Sequence, residues 1–120
     1  EFGMNGAGSP DKRHFMQWSQ YTANQTWLRA QIRALAHLRA AHPATRRGTR
    51  ATLGVTADTY VYSMTLPGTD QIFVALNRGD AANAATGLPS GTYTELISGQ
   101  TMATPIQLPP RTAYVFAAAD

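Results

Sequence analysis

The stretch that decides the fold runs Tyr60-Val61-Tyr62-Ser63-Met64-Thr65-Leu66-Pro67-Gly68-Thr69-Asp70-Gln71-Ile72-Phe73-Val74-Ala75-Leu76-Asn77. Over 60–66, large side chains alternate with Val, Ser and Thr, and this period of two predicts a strand with one buried face. The Pro-Gly-Thr-Asp run at 67–70 is typical of a turn, and 71–77 predicts a second strand. The two runs together predict an antiparallel hairpin.

The remainder of the C-terminal part repeats this pattern of short strands and turns. We predict strands over 92–98, 102–108 and 112–118, separated by Gly99-Gln100 and Pro109-Pro110. Short strands with turns about every 8–12 residues are typical of an antiparallel sandwich or barrel. The predicted fold is therefore mainly β: an antiparallel, Greek-key-like β-sandwich over 49–120, preceded by one amphipathic α-helix over 23–43.

The helix is predicted from apolar side chains that recur at the spacing of one helical face. They are Leu28, Ile32, Leu35 and Leu38, while Arg29, Arg33 and His37 line an adjacent face. Asn24 is a plausible N-cap, and Pro43 ends the pattern. Exposing this apolar face to water is unfavourable, so we expect the helix to dock on the sandwich or to join two copies in a homodimer. Residues 1–22, rich in glycine, are predicted to be a mobile loop.

Composition narrows the class of protein. The 120 residues, 43% hydrophobic and 14% charged, suffice for one small domain with a single core. The absence of cysteine excludes disulfides and thiolate metal sites. No apolar run reaches the roughly 20 residues of a membrane span, and no secretory leader pattern opens the chain. We predict no membrane partner, no cofactor and no metal site, since the three histidines have no clustered ligand partners.

Two binding interpretations follow from the side chains. Tyr60, Tyr62 and Tyr93 lie on predicted strands, where an exposed ring could stack on a sugar; the alternative is that they are half-buried core residues. Seven arginines lie between Lys12 and Asp58, a stretch that contains no acidic residue. This excess of positive charge suggests a small basic nucleic-acid-associated protein as a further alternative. Aromatic and basic residues do not interleave there as a stacking platform requires, so nucleic acid is not the predicted partner.

Three phrases resemble the C-terminal part of α-amylase-family glycoside hydrolases. Glu1-Phe2-Gly3-Met4 followed by Ser9-Pro10-Asp11-Lys12-Arg13 and Met16-Gln17-Trp18 is similar to the loop after the last barrel strand. Leu38-Arg39-Ala40-Ala41-His42-Pro43-Ala44 resembles the end of the last barrel helix. The ending Leu108-Pro109-Pro110-Arg111-Thr112-Ala113-Tyr114-Val115-Phe116 resembles the final strand of the sandwich called domain C.

The resemblance implies a segment that lacks the catalytic carboxylates, which in this family lie on earlier barrel strands. The resemblance also implies that residues 1–22 are the remnant of the barrel's last β-α connection. The expected partner is then the missing catalytic barrel of the parent enzyme. By this resemblance, Asp11 and Arg13 match positions that line donor-sugar subsites in some family members. The pattern is most similar to that of the neopullulanase-like, cyclodextrinase-like and oligosaccharide-hydrolase-like members. We predict a non-catalytic C-terminal fragment that stabilises its parent or weakly contacts an α-glucan. A free-standing carbohydrate-binding sandwich is the alternative, and a secreted or a cytoplasmic bacterial location would fit equally.

Overall fold

A computed structural model describes residues 18–119 of the chain. The two helices are α1 (Ala23–Ala41) and α2 (Ala44–Arg47). The strands are β1 (Thr49–Val55), β2 (Thr59–Leu66), β3 (Asp70–Asn77), β4 (Asn83–Ala84), β5 (Thr92–Glu95), β6 (Thr101–Ala103), β7 (Gln107–Leu108) and β8 (Thr112–Ala118). The boundary between two compact units falls within α1, after His37. None of the described helices is long and apolar enough to span a membrane.

Helix α1 begins with a capping box formed by Thr22 and Gln25. The Thr22 amide donates to Gln25 Oε1 at 3.0 Å, and the Gln25 amide donates to Thr22 Oγ1 at 3.3 Å. This reciprocal pair satisfies two backbone N–H groups at the start of the helix. The prediction of Asn24 as the N-cap is therefore wrong. Asn24 lies inside the first turn because Thr22, followed three residues later by Gln25, forms the cap two residues earlier.

The strands form an antiparallel β-sandwich, as predicted from the sequence. Six strands pair in the order β1-β2-β3-β8-β5-β6, and β4 pairs with β7 in a second, smaller sheet. The β2–β3 hairpin is confirmed, with Leu66 opposite Asp70 and Tyr62 opposite Val74. Strand β8 lies between β3 and β5, so neighbours in the sheet are not neighbours in sequence, and this crossing gives the sheet its Greek-key-like order.

The larger core lies on the face of the main sheet that meets the β4–β7 sheet. It is built by eight buried residues, Val61, Phe73, Ala75, Ala85, Tyr93, Ile106, Leu108 and Phe116. The Phe73 and Tyr93 rings meet edge to face, with centroids 5.3 Å apart. This is an arrangement that aromatic pairs favour, and it anchors β5 against the centre of the sheet.

A smaller core lies on the opposite face of the same sheet. Ile72, Val74 and Val115 are buried there, and Leu38 from the end of α1 packs against them. Strand β3 is consequently buried on both faces, with Ile72 to Ala75 all inaccessible to water. Strict alternation is lost in β3 for this reason, because a central strand covered on both sides is apolar throughout.

Two predicted strands are shorter than the sequence pattern suggests. Strand β5 ends at Glu95 because the Glu95 carboxylate accepts hydrogen bonds from the Ile97 and Ser98 amides, at 3.2 and 2.6 Å, and holds them in a turn. The predicted strand 102–108 divides into β6 and β7, which belong to different sheets. Pro105 lies between them and has no N–H to continue a ladder.

Close backbone packing occurs where β1 passes the segment before β5. A side chain at Gly54 would overlap the carbonyl oxygen of Thr86, and one at Gly87 would overlap that of Leu53. Gly87 also has a φ of +87°, a conformation that glycine adopts readily. The two glycines thus let the two backbones approach each other, and β1 shows a register shift at this point, between Thr52 and Gly54.

We expect Gly54→Ala to lower the free energy of unfolding by about 1–3 kcal/mol, because the added methyl group forces the backbone at Thr86 to move. Thermal unfolding followed by circular dichroism measures this change. Gly91→Ala is the matched control: its nearest contact would be Tyr93 Cε2 at 3.9 Å, so its melting temperature should stay near that of the unsubstituted chain. Equal melting temperatures for both variants would contradict the proposed backbone contact.

Candidate functional site

The candidate contact surface is the tyrosine patch, defined here as Arg50, Thr52, Tyr60 and Tyr62. Because side chains alternate along β2, Tyr60 and Tyr62 lie on the face opposite the larger core, whereas Val61 and Ser63 are buried. Thr52 pairs with Tyr62 across the β1–β2 ladder, which brings Arg50 and Thr52 to the same face. The patch therefore results from the hairpin predicted at the outset.

The two tyrosine rings lie against each other and are fixed by polar contacts. Their centroids are 5.2 Å apart and their planes are inclined by 31°. The Tyr60 hydroxyl is 3.0 Å from Thr52 Oγ1, and the Arg50 guanidinium carbon lies 5.9 Å from the Tyr62 ring centroid. Tyr62 thus has both a ring and a cation as neighbours. Tyr60 has the less crowded ring of the two, and it is held in place by its hydroxyl.

Tyr93 does not share this surface. Its side chain lies in the larger core with only 4% of its area exposed, and its hydroxyl donates to the Pro89 carbonyl oxygen at 2.8 Å. Burial raises the pKa of the Tyr93 hydroxyl above its ordinary value. The prediction that Tyr93 stacks on a sugar conflicts with this position, because a ring enclosed by Phe73 and Phe116 offers no open face.

The predicted donor-sugar residues Asp11 and Arg13 lie outside the described residues. Glu1, the other acid of the same loop, lies there as well. Among residues 18–119, no group of three or more histidine, aspartate or glutamate side chains could hold a metal ion.

Each carboxylate in the described part of the chain has a structural partner. Asp58 pairs with Arg78 at 3.6 Å, and Asp80 pairs with Arg111 at 2.8 Å; both pairs lie at the surface. The buried Glu95 accepts from three backbone amides, those of Ile97, Ser98 and Val115. These acids hold turns and strand ends. None of them has the surroundings expected of a protonated carboxylate poised beside an ionised one.

A joint that sequence reasoning missed connects the end of α1 with the β2–β3 hairpin. Asp70 Oδ1 lies 3.1 Å from His42 Nδ1, and Asp70 Oδ2 accepts from the Ala44 amide at 3.0 Å. Burial alone would raise the pKa of Asp70. The hydrogen bonds from His42 and from the Ala44 and Gln71 amides, with the charge of His42, outweigh burial, and the pKa lies below its ordinary value.

Two arginines of the basic stretch also serve the end of α1. The Arg39 guanidinium donates to the Thr45 carbonyl oxygen at 3.0 Å, and the Arg46 guanidinium donates to that of Arg39 at 2.8 Å. The last carbonyls of a helix have no partner within the helix, and basic side chains commonly satisfy them. This part of the basic stretch is therefore explained by helix capping, without a nucleic acid.

The apolar stripe of α1, defined as Trp27, Ile32 and Leu35, stays exposed. These side chains keep 64%, 37% and 48% of their area accessible, and α1 contains no buried residue. Leu38 belongs to the same side of the helix by the 3.6-residue repeat, and it is the one that packs on the smaller core. Large apolar side chains clustered at a surface mark interaction sites.

The described residues define the class of the protein as a β-sandwich preceded by a helix with an exposed apolar side. No family model matches the chain. Among curated proteins, it is 36% identical over 101 residues to a cyclomaltodextrin glucanotransferase of Paenibacillus macerans, covering 80% of this chain and 14% of that protein. It is 33% identical over 100 residues to an α-amylase of Niallia circulans, covering 79% of this chain and 18% of the relative.

Solved structures with the same fold include AmyP in complex with maltose, at 21% identity and a TM-score of 0.70, covering 80% of this chain and 21% of that one. A cyclomaltodextrin glucanotransferase with a three-domain arrangement, CldA, matches at 23% identity and a TM-score of 0.64, covering 92% of this chain and 25% of that one. The chain thus spans only about a seventh to a quarter of these proteins. The resemblance to the α-amylase family is confirmed: about four fifths of the chain is similar in sequence to these proteins.

Proposed function

We propose that this segment is the non-catalytic C-terminal part of a glycoside hydrolase that acts on α-glucans, and that it stabilises the parent protein by docking α1 on the catalytic barrel. Residues 1–22 would be the last barrel connection, 23–43 the last barrel helix and 49–120 domain C. The relatives with printed activities, a cyclomaltodextrin glucanotransferase and an α-amylase, support the choice of α-glucans as the substrate class. Asp11 and Arg13 would line the donor-sugar subsites of the intact protein.

The observation that carries this proposal is the open apolar stripe. Burying a large apolar side chain contributes about 1.5–3 kcal/mol, and a domain's whole stability is only about 5–15 kcal/mol. Because Trp27, Ile32 and Leu35 keep 64%, 37% and 48% of their area accessible, covering them would contribute about 2–4 kcal/mol in all, a substantial fraction of a small domain's stability. A catalytic barrel is the occupant that the sequence motifs and the length of the relatives favour; a second copy of the chain is the alternative occupant.

Absence of catalysis is the second part of the proposal. Asp58, Asp70, Asp80 and Glu95 are already engaged in structural contacts, so a pair of carboxyl groups about 5–9 Å apart on either side of a glycosidic bond would have to come from elsewhere. Residues of the parent outside this segment would supply it.

We expect the purified 120-residue chain to release no detectable sugar from maltoheptaose or β-cyclodextrin, because the acids within residues 18–119 form no such pair. Product analysis by chromatography after prolonged incubation measures this, with circular dichroism to establish that the sample is folded. The matched control is the Glu1→Gln, Asp11→Asn double variant, which removes the two acids of the first loop. Turnover that this double variant loses would contradict the proposal, whereas turnover that it retains would indicate a contaminating enzyme.

A weak contact with glucan is a second role, and the ordered tyrosine pair supports it. Sugar rings stack on exposed aromatic faces, and a ring held by its hydroxyl binds without losing much side-chain freedom. Tyr60 meets this requirement better than Tyr62, whose ring already has Arg50 and Tyr60 as neighbours.

We expect Tyr60→Ala to abolish the maltoheptaose-induced chemical-shift changes in a titration followed by NMR. Binding by the unsubstituted chain should be weak, with a dissociation constant on the order of 1 mM, because one stacked ring contributes little binding energy. Tyr114→Ala is the control, since Tyr114 packs partly on the larger core. A titration unchanged by Tyr60→Ala would contradict the contact, while leaving the docking role of α1 unaffected.

A further inference from the structure

The joint between α1 and the hairpin rests on one carboxylate. Asp70 begins β3, directly after the turn at 67–69, and its two oxygens serve two different partners. One partner is the His42 ring, the first residue after α1, and the other is the Ala44 amide, the first residue of α2. Asp70 and His42 are both mostly buried, with 14% and 24% of their side chains exposed. The carboxylate therefore spans the whole connection between the helices.

Most of the other charged groups near the joint contact partners other than Asp70. Arg39 and Arg46 donate to the carbonyl oxygens of Thr45 and Arg39. Strands β2 and β3 contain no other acid, histidine, lysine or arginine, and Arg50 on β1 lies by the Tyr62 ring. The other cation on α2 is Arg47. Of these charged groups, His42 is the one that contacts Asp70. The state of the joint thus depends on the Asp70 carboxylate and its two donors.

The joint controls how the end of α1 meets the sandwich. Leu38 lies one turn before His42 and packs on Ile72, Val74 and Val115. Ala44 is fully buried, and the Gly48 amide donates back to its carbonyl oxygen at 2.9 Å. Releasing His42 and Ala44 from Asp70 would leave the buried Ala44 amide without its acceptor, which is costly for a buried donor.

We propose that Asp70 is an acid-sensitive latch: its ionised carboxylate seats the end of α1 on the sheet, and its protonation releases the helix end while the β-sandwich stays folded. A protonated carboxyl group loses one of its two acceptor oxygens to an O–H, so it cannot accept from both His42 and Ala44 with the same strength. The larger core contains no part of the latch, since its buried residues include neither His42, Ala44 nor Asp70. The inference stands whether or not the parent protein acts on α-glucans.

The direction of the pH effect follows from the pKa of Asp70. Because the folded-state pKa lies below the ordinary value of about 3.9, ionisation of Asp70 stabilises the closed latch. This stabilisation is fully present above about pH 3.9 and is lost as the pH falls through the folded-state pKa. The helix end should therefore be released in acid and seated at neutral pH.

Methyl NMR of the 120-residue chain between pH 6.5 and 2.5 tests the latch. The Leu38 methyl signals report the helix end, and the Val61 methyl signals report the larger core. We expect the Leu38 signals to move with a midpoint below about pH 3.9, while the Val61 signals keep their native positions. In Asp70→Asn, the side-chain amide keeps only one acceptor oxygen and cannot accept from both His42 and Ala44, so the Leu38 signals should already have their released positions at pH 6.5.

Asp58→Asn is the matched control, because Asp58 forms a surface pair with Arg78 away from the joint; it should follow the unsubstituted chain at every pH. His42→Ala removes one of the donors that lower the pKa and should shift the Leu38 midpoint upward towards about 3.9. This second variant tests the latch even if Asp70→Asn fails to fold. Seated Leu38 signals in Asp70→Asn, an unshifted midpoint in His42→Ala, or loss of the Leu38 and Val61 signals in one common step would each overturn the proposal.

Discussion

Strand β3 carries apolar side chains on both faces, and this double burial determines what the chain must build around it. Phe73 and Ala75 face the larger core, and Ile72 and Val74 face the smaller one. The first face is covered by the β4–β7 sheet and its connections. The second is covered in part by Leu38, which makes the end of α1 a component of the sandwich. Releasing the end of α1 therefore uncovers part of the smaller core, whereas the larger core contains no residue of α1 and keeps its cover.

The same constraint explains how polar groups are distributed. Several charged side chains lie where the chain changes direction: Asp70 and His42 between α1 and the hairpin, and Arg46 over the last carbonyls of α1. Glu95 is buried at the end of β5 and is satisfied by backbone amides. These groups fix the connections between elements, and the tyrosine patch and the apolar stripe are the surfaces for which we propose a partner.

Local patterns allowed much of this architecture to be predicted. Alternation in β2, together with Pro67-Gly68, gave the hairpin, and the leucine spacing gave α1. Predictions were wrong where the local structure depends on contacts between distant residues, or on a neighbouring residue that makes a better local contact. Thr22, and not Asn24, is the N-cap because Gln25 completes a capping box with Thr22.

The functional residues were predicted less completely, for physical reasons. Tyr60 and Tyr93 both lie on strands, and only the sheet order shows which of them faces the larger core. The pair of His42 and Asp70 joins residues 28 positions apart, and no local pattern connects them. A polar residue that follows a hairpin turn, combined with a histidine just after a helix, is at most a weak signal for such a joint.

Hydrogen exchange of the backbone amides measures most directly whether the apolar stripe of α1 is covered within this chain. Most of the stability of a helix in a protein comes from tertiary packing, so helical segments without tertiary cover open readily. In a monomeric sample at neutral pH, we expect the Ile32 and Leu35 amides to exchange much faster than those of His42 and Gly48, which lie beside the latch. Equal, strong protection of all four amides would show that α1 is already fully packed within this chain and needs no partner to cover it.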